Sequence, residues 1–293
     1  MKSIASPNAI DRIPEDASLA RMCGRVRASS RARAVERASA CFASDLDLDF
    51  NERRERECDL ETNDTRDADA NAGPGSSVVV VTREDGARAR VARATFGMTR
   101  DATRASVNAY DRAINARGET LSEVPMFANA IARDARCAVF VDGFYEWRSE
   151  RAGAFEVKQP YYASRRDGEP MALAGVYADE DDMRGTRAKK RAFAIVTRST
   201  KGGTLEWLHD RAPVMLHGDD DVRRWVLGSD WERCIECRAG EAHVKWYPVS
   251  MKVNRADYRG EDANKETKRE AERGVGSLAA LFAAAPPSKK RKI

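Results

Sequence analysis

Between residues 77 and 249 the chain carries a succession of short runs rich in β-branched and aromatic residues, and this pattern constrains its fold most. "SVVVVT" (77–82), "CAVFVDGFYEW" (137–147), "MALAGVY" (171–177), "AFAIVT" (192–197) and "HVKWYPV" (243–249) each have the length and composition of a strand. Asp85-Gly86, just after the first run, is a turn signal and predicts a hairpin. Helical spacing is confined to patches at 31–43, where Val35, Ala38 and Phe42 recur, and at 126–135 and 220–227. Many strands and few long helices predict an α+β class, a single domain around a curled, mostly antiparallel β-sheet with peripheral helices. No repeat period is visible.

The 293 residues suffice for one domain with tails. Residues 1–21 read as an extension, 22–255 as the domain and 256–293 as a disordered tail. The formal net charge is only +4, yet residues 45–70 hold eleven acids and four bases, a local −7 that leaves +11 on the remainder. That acidic stretch runs into the Gly/Pro/Ser-rich "NAGPGSS", and 45–77 reads as a disordered insert. A basic body suits a polyanionic partner, although an ordinary solvated surface explains the charge as well. No apolar run is long enough to span a membrane. The first 21 residues lack an apolar stretch and carry Asp11, Glu15 and Asp16, unlike a secretory or transit peptide. Six cysteines (Cys23, Cys41, Cys58, Cys137, Cys234, Cys237) in a chain this long point to a reducing compartment rather than a disulfide framework.

Four polar residues stand in unusual local settings: Cys23 directly after Met22, Asn115 in "INARGET", Glu146 in "DGFYEW" and His209 in "WLHDRAPVML". Singly each has an ordinary explanation: a turn or cap for Asn115, a solvent-facing Glu146, a structural His209. Together they belong to a series of words in fixed order: "MCGR", "NARGET", "CAVFVDGFYEW", "QPYY" with "GEPMALAGVY", "FAIVTRST", "LHDRAPVML" and "YPVSMKVN". The series resembles the SOS response-associated peptidase (SRAP) family over roughly residues 22–255. Its eukaryotic members are abasic-site shields, also described as binders of 5-hydroxymethylcytosine.

The resemblance implies a catalytic set of Cys23, Asn115, Glu146 and His209, with no cofactor or metal. A processed N-terminal Cys23 would form a thiazolidine with the ring-opened sugar of an abasic site in single-stranded DNA. Arg25, Arg117 and Arg211 would grip phosphates, Phe96 would stack on or wedge against a base, and Trp147, Asn71 and Pro74 would complete the DNA contacts. Three departures from the family pattern stand out. An extension precedes Met22, the family's Asn-rich loop reads "ANAGPG" with Ala70 in place of the aromatic, and "FGMTR" replaces Trp-Gly-Leu-x-Pro. Translation from Met22 and removal of that Met, or cleavage of the Met22–Cys23 bond, would expose the amine; the first is the stronger expectation.

Competing readings are a cysteine peptidase built from Cys23, His209 and Asn115, and a non-covalent reader of single-stranded or modified DNA. "CIEC" (234–237) has the spacing of a zinc half-site, but it lacks a second pair and His243 alone does not complete one. The terminal Lys289-Lys290-Arg291-Lys292 resembles a nuclear-import signal and predicts a nuclear protein; a solubilising tail reads the same way. Leu278, Leu281 and Phe282 loosely resemble a sliding-clamp box, or belong to an Ala-rich linker. A monomer is expected.

Overall fold

The computed structural model of the chain describes residues 24–47, 69–84, 88–99, 112–152, 155–181 and 189–273. In chain order the first strands are β1 (Arg25–Ala28), β2 (Leu46–Asp47), β3 (Ser77–Glu84), β4 (Arg88–Phe96), β5 (Met98–Thr99), β6 (Arg112–Ala113) and β7 (Asn115–Arg117). The long central ones follow: β8 (Arg136–Ala152), β9 (Phe155–Arg165), β10 (Met171–Asp181) and β11 (Lys189–Ser199). Last come β12 (Arg211–Pro213), β13 (Met215–Leu216) and β14 (Val244–Pro248).

Pairing runs β10–β11–β4–β3–β8 and returns from β8 to β10, so the sheet closes on itself. Within that ring only the β11–β4 pairing is parallel. The second half of β8 leaves the ring to pair with β1 and β9, and β14 extends β9. The expected α+β class and curled, mostly antiparallel sheet are what the chain adopts, and β3–β4 form the hairpin.

Both faces of the ring strands are buried, which is why they read as continuous apolar runs. Along β3, Val79 and Val81 join one apolar cluster while Val78 and Val80 join another. Side chains alternate because successive residues of a strand point to opposite faces. The first face is covered by the helices Arg31–Phe42 and Gly218–Leu227, through Ala34, Ala38 and Phe42 and through Val222 and Trp225. Helical spacing gathers each set into one stripe. Ser30 caps the first helix by accepting from the Arg33 amide, and Asp219–Asp221 complement the positive end of the second. Trp225 is fully buried and its indole N–H donates to the carbonyls of Cys137 and Gly175, which anchors that helix to β8 and β10. The opposite face, with Phe96, Val139, Leu173, Phe193 and Ile195, fills the ring without helical residues.

Two boundaries differ from expectation. Residues 45–47 and 69–77, read as ends of a disordered insert, are built into the fold. Leu46 pairs with Ala89, and Ala72 bridges Val26 with amide–carbonyl distances of 2.8 and 2.9 Å. The polar stretch after Arg255 also folds: Ala263 is fully buried, and the Thr267 amide donates to the Pro248 carbonyl at 2.9 Å. Gln159, buried between them, accepts from the Glu270 amide and donates to Val249, so 256–273 docks on β9 and β14. Cys23, Asp85-Gly86, residues 48–68 and the tail bearing Leu278, Leu281 and Phe282 lie outside the described residues.

Candidate active site

Glu146 lies where β8 leaves the ring. Across from it on β9 is Tyr161, and β1 runs along the other edge with Arg25 opposite Tyr145. Continued by one step, that antiparallel register sets buried Gly24 across from Glu146. Gly143 makes the crossing possible, since a methyl group there would meet the Ala163 carbonyl oxygen at 2.4 Å and the Tyr162 ring at 2.5 Å. Glu146 is only 4% exposed, and its carboxylate accepts from the Trp147 amide at 3.0 Å.

The "ANAGPG" segment closes over β1. Asn71 is fully buried; its carbonyl oxygen accepts from Arg25 at 3.1 Å and its amide nitrogen donates to the carbonyls of Val253 and Arg255. Asp69 accepts from the Asn71 amide and pairs with Arg259 at 2.6 Å. Burial, together with the nearby charge of Arg259, lowers the pKa of Arg25, and Asp69 opposes that. The Trp147 indole donates to Asn254 at 2.6 Å, so the 253–255 segment ties Trp147 and Arg25 to one support. Pro74 and Gly75 occupy the corner of a turn closed from Ser76 to Gly73, with Gly75 at φ +93°. Proline followed by glycine in that position is the chemistry of a type II turn.

His209 ends a loop cinched by Thr200, whose hydroxyl donates to the His209 carbonyl at 2.6 Å and whose amide donates to Asp210. The His209 Nδ1 accepts from the Arg211 amide at 3.1 Å, and Asp210 Oδ1 lies 2.6 Å from the same nitrogen. Asn115, half-buried, pairs alongside Ile195 on β11, while β12 with Arg211 pairs against the end of that strand. β11 thus carries Asn115 on one edge and the His209 loop on the other. The Trp207 ring, two residues before His209, packs edge-on against Tyr161 at 5.1 Å and so joins that loop to β9, opposite Glu146. Arg117 is exposed at the end of β7.

The Arg211 guanidinium is held by Glu119 at 2.7 and 3.1 Å and by the Thr197 carbonyl at 2.8 Å. Burial alone would raise the Glu119 carboxyl, but hydrogen bonds from Arg211 and the Ser199 amide outweigh it and hold the pKa at about 2, against 4.5 for a free side chain. A depressed folded-state pKa stabilises fully above the unfolded value, and that contribution disappears as pH falls from about 4.5 toward 2. Thermal midpoints of Glu119→Gln should therefore show a shallower decline than the parent across that window. Parallel curves there would mean the pair is not coupled to folding.

Two of the expected DNA contacts are corrected. Phe96 is fully buried and stacked on Phe193, with centroids 5.1 Å apart and an 11° interplanar angle, so its ring has no face for a base. Gly97 behind it takes φ +100°, and a Cβ there would lie 2.8 Å from Arg112. Asn71, with no exposed surface, orients Arg25 instead of touching a ligand. Glu119, Asn254 and Asp69 were missed as supports, although the first two stand inside the words "NARGET" and "YPVSMKVN".

Among the described cysteines, burial raises Cys41, Cys137 and Cys234 to about 12, so these thiols stay protonated at neutral pH. No cluster of three or more metal-ligating side chains occurs among the described residues. The structure sets a buried carboxylate beside the start of β1, and an amide and an imidazole on segments along the two edges of β11, with arginines on β1, β7 and β12. That set suits proton transfer and the binding of an anionic substrate.

The model of the family "SOS response associated peptidase (SRAP)" matches residues 22–256. The chain is 30% identical over 159 residues to the Abasic site processing protein HMCES of Xenopus tropicalis, and 30% over 152 residues to the Abasic site processing protein YedK of Escherichia coli. These stretches cover 48% and 50% of this chain, and 46% and 64% of those relatives. A crystal structure of a protein from Bacteroides thetaiotaomicron shares the fold, with a TM-score of 0.62 at 19% identity over 84% of this chain and 100% of that one. With the matched region running from the residue before Cys23 to the end of the Asn254 support, the chain belongs to the SRAP family.

Proposed function

We propose that this protein processes abasic sites by forming a covalent thiazolidine between Cys23 and the ring-opened sugar in single-stranded DNA. The observation that carries this reading is the β1–β8 register, which brings the chain just after Cys23 alongside Glu146. An α-amine has a pKa of about 8, so part of it is unprotonated at neutral pH. The amine adds to the C1′ aldehyde, and loss of water leaves an imine. The neighbouring thiolate then adds to the imine carbon, the nitrogen takes a proton, and a five-membered ring closes. The second step is intramolecular and gains a large effective concentration. Glu146 carries protons in ring opening and imine formation, His209 acts as acid or base on the sugar hydroxyl, and Asn115 holds the amine or the sugar oxygen. Exposure of the amine requires removal of everything before Cys23, and the family's peptidase name fits such self-processing. The terminal basic cluster supports a nuclear setting.

Arg25, Arg117 and Arg211 favour a strand held by its phosphates. Abasic oligonucleotides incubated as single strands or within intact duplex, across a salt series, test this substrate class. Capture should favour the single strand, and binding should weaken with salt by a log–log slope of about 0.7 per phosphate contact. Equal capture from both forms, indifferent to salt, would contradict it.

A further inference from the structure

Glu146 and Arg148 are two residues apart on β8 and so share a face, which continues past the candidate site into a groove of about 700 Å³. Its floor is Tyr161, the register partner of Glu146. Its walls are aromatic and basic: Trp207, Trp246, Arg148, Lys268 and Arg269. The Arg148 guanidinium lies over Trp207 at 5.1 Å, and the Trp207 and Trp246 rings meet at 5.8 Å with a 44° tilt. Both tryptophans are half-buried. The Tyr161 hydroxyl donates to Glu150 at 2.5 Å, which fixes the floor.

We infer that this groove is a stacking subsite for bases of a single-stranded nucleic acid next to the nucleotide held at Glu146. The inference rests on the proposed function for its substrate class and adds residues that class does not otherwise assign. Aromatic rings beside cations are what a flexible strand needs, because every base has a π-face and every linkage a negative charge. Three lining cations meet two lining carboxylates, Glu266 and Glu272; Arg269 pairs with Glu272, and Arg148 lies 3.6 Å from Glu150 beneath the groove. A cationic ligand is disfavoured, since Arg148, Lys268 and Arg269 already line the groove beside the rings.

The test is equilibrium binding of undamaged oligothymidylate to the full chain, read by quenching of tryptophan fluorescence and by anisotropy of a labelled strand. Adduct yields on abasic oligonucleotides are measured in parallel. Trp207→Ala should weaken binding on the order of 5- to 100-fold, as expected for losing a stacked base. Lys268→Glu, at an exposed position, keeps the test alive if the first variant fails to fold. It should weaken binding and lower the salt slope by about one contact. The undamaged strand carries no aldehyde, so this result stands apart from the crosslinking chemistry. Unchanged binding by both variants alongside normal adduct yield overturns the subsite alone. Missing adducts with groove-dependent binding overturn the proposed chemistry alone. Saturable quenching by tetramethylammonium, with none by oligothymidylate, would reassign the groove to a methylated cation.

Discussion

A chain beginning at Cys23 and carrying Cys23→Ala should form no heat-stable adduct with abasic single-stranded DNA. Alanine keeps the α-amine, so an imine still forms, but an imine without the thiol hydrolyses and leaves no ring. The four described thiols, all internal to the chain, offer no substitute. Cys137 is fully buried in β8, Cys41 sits beside Arg37 and Asp219, and burial dominates the raised pKa of both and of Cys234. None of them carries the free amine that ring closure requires. Adduct yield after heating in denaturant measures this directly. Parental yield from the Cys23→Ala chain would end the thiazolidine reading.

Replacing the acid–base groups should slow capture rather than abolish it. Glu146→Gln and His209→Ala should each reduce the single-turnover rate by about 10- to 10⁴-fold, the span of general acid–base contributions. Glu146→Gln preserves volume and keeps an oxygen to accept from the Trp147 amide, so the strand geometry survives while proton transfer is lost. His209→Ala removes Nδ1 as the acceptor of the Arg211 amide, although the Thr200 bonds to the loop backbone remain. Rates within twofold of the parent for both variants, with unchanged melting, would remove these residues from the chemistry.

The ring strands were legible because their burial is local in pattern: four consecutive valines, Val78–Val81, serve two apolar clusters and read as one run. The ends of the insert were not legible. Asn71 owes its order to carbonyls at Val253 and Arg255, and Asp69 owes its order to Arg259, all contributed from far along the chain. Residues 256–273 hid for the same reason, since Gln159 and Tyr247 hold them through bonds to their backbone. The catalytic candidates were found through ordered words, which fix residue identity but not side-chain direction. Phe96 shows the cost of that gap: an aromatic before Gly97 read as a wedge, whereas the alternation of β4 turns it inward onto Phe193. Trp207 was a lone aromatic in a loop, and only its contacts with Tyr161, Arg148 and Trp246 mark it as part of a groove.

The most direct measurement is the intact mass of the adduct formed by protein expressed from Met1, followed by sequencing of the DNA-linked peptide. Adduct should appear only on molecules that have lost residues 1–22. Its mass should be that of the chain from Cys23 plus the abasic oligonucleotide, less one water, with the modification on the first residue. An equally stable adduct on uncut protein, or one attached to any other residue, would contradict the central claim.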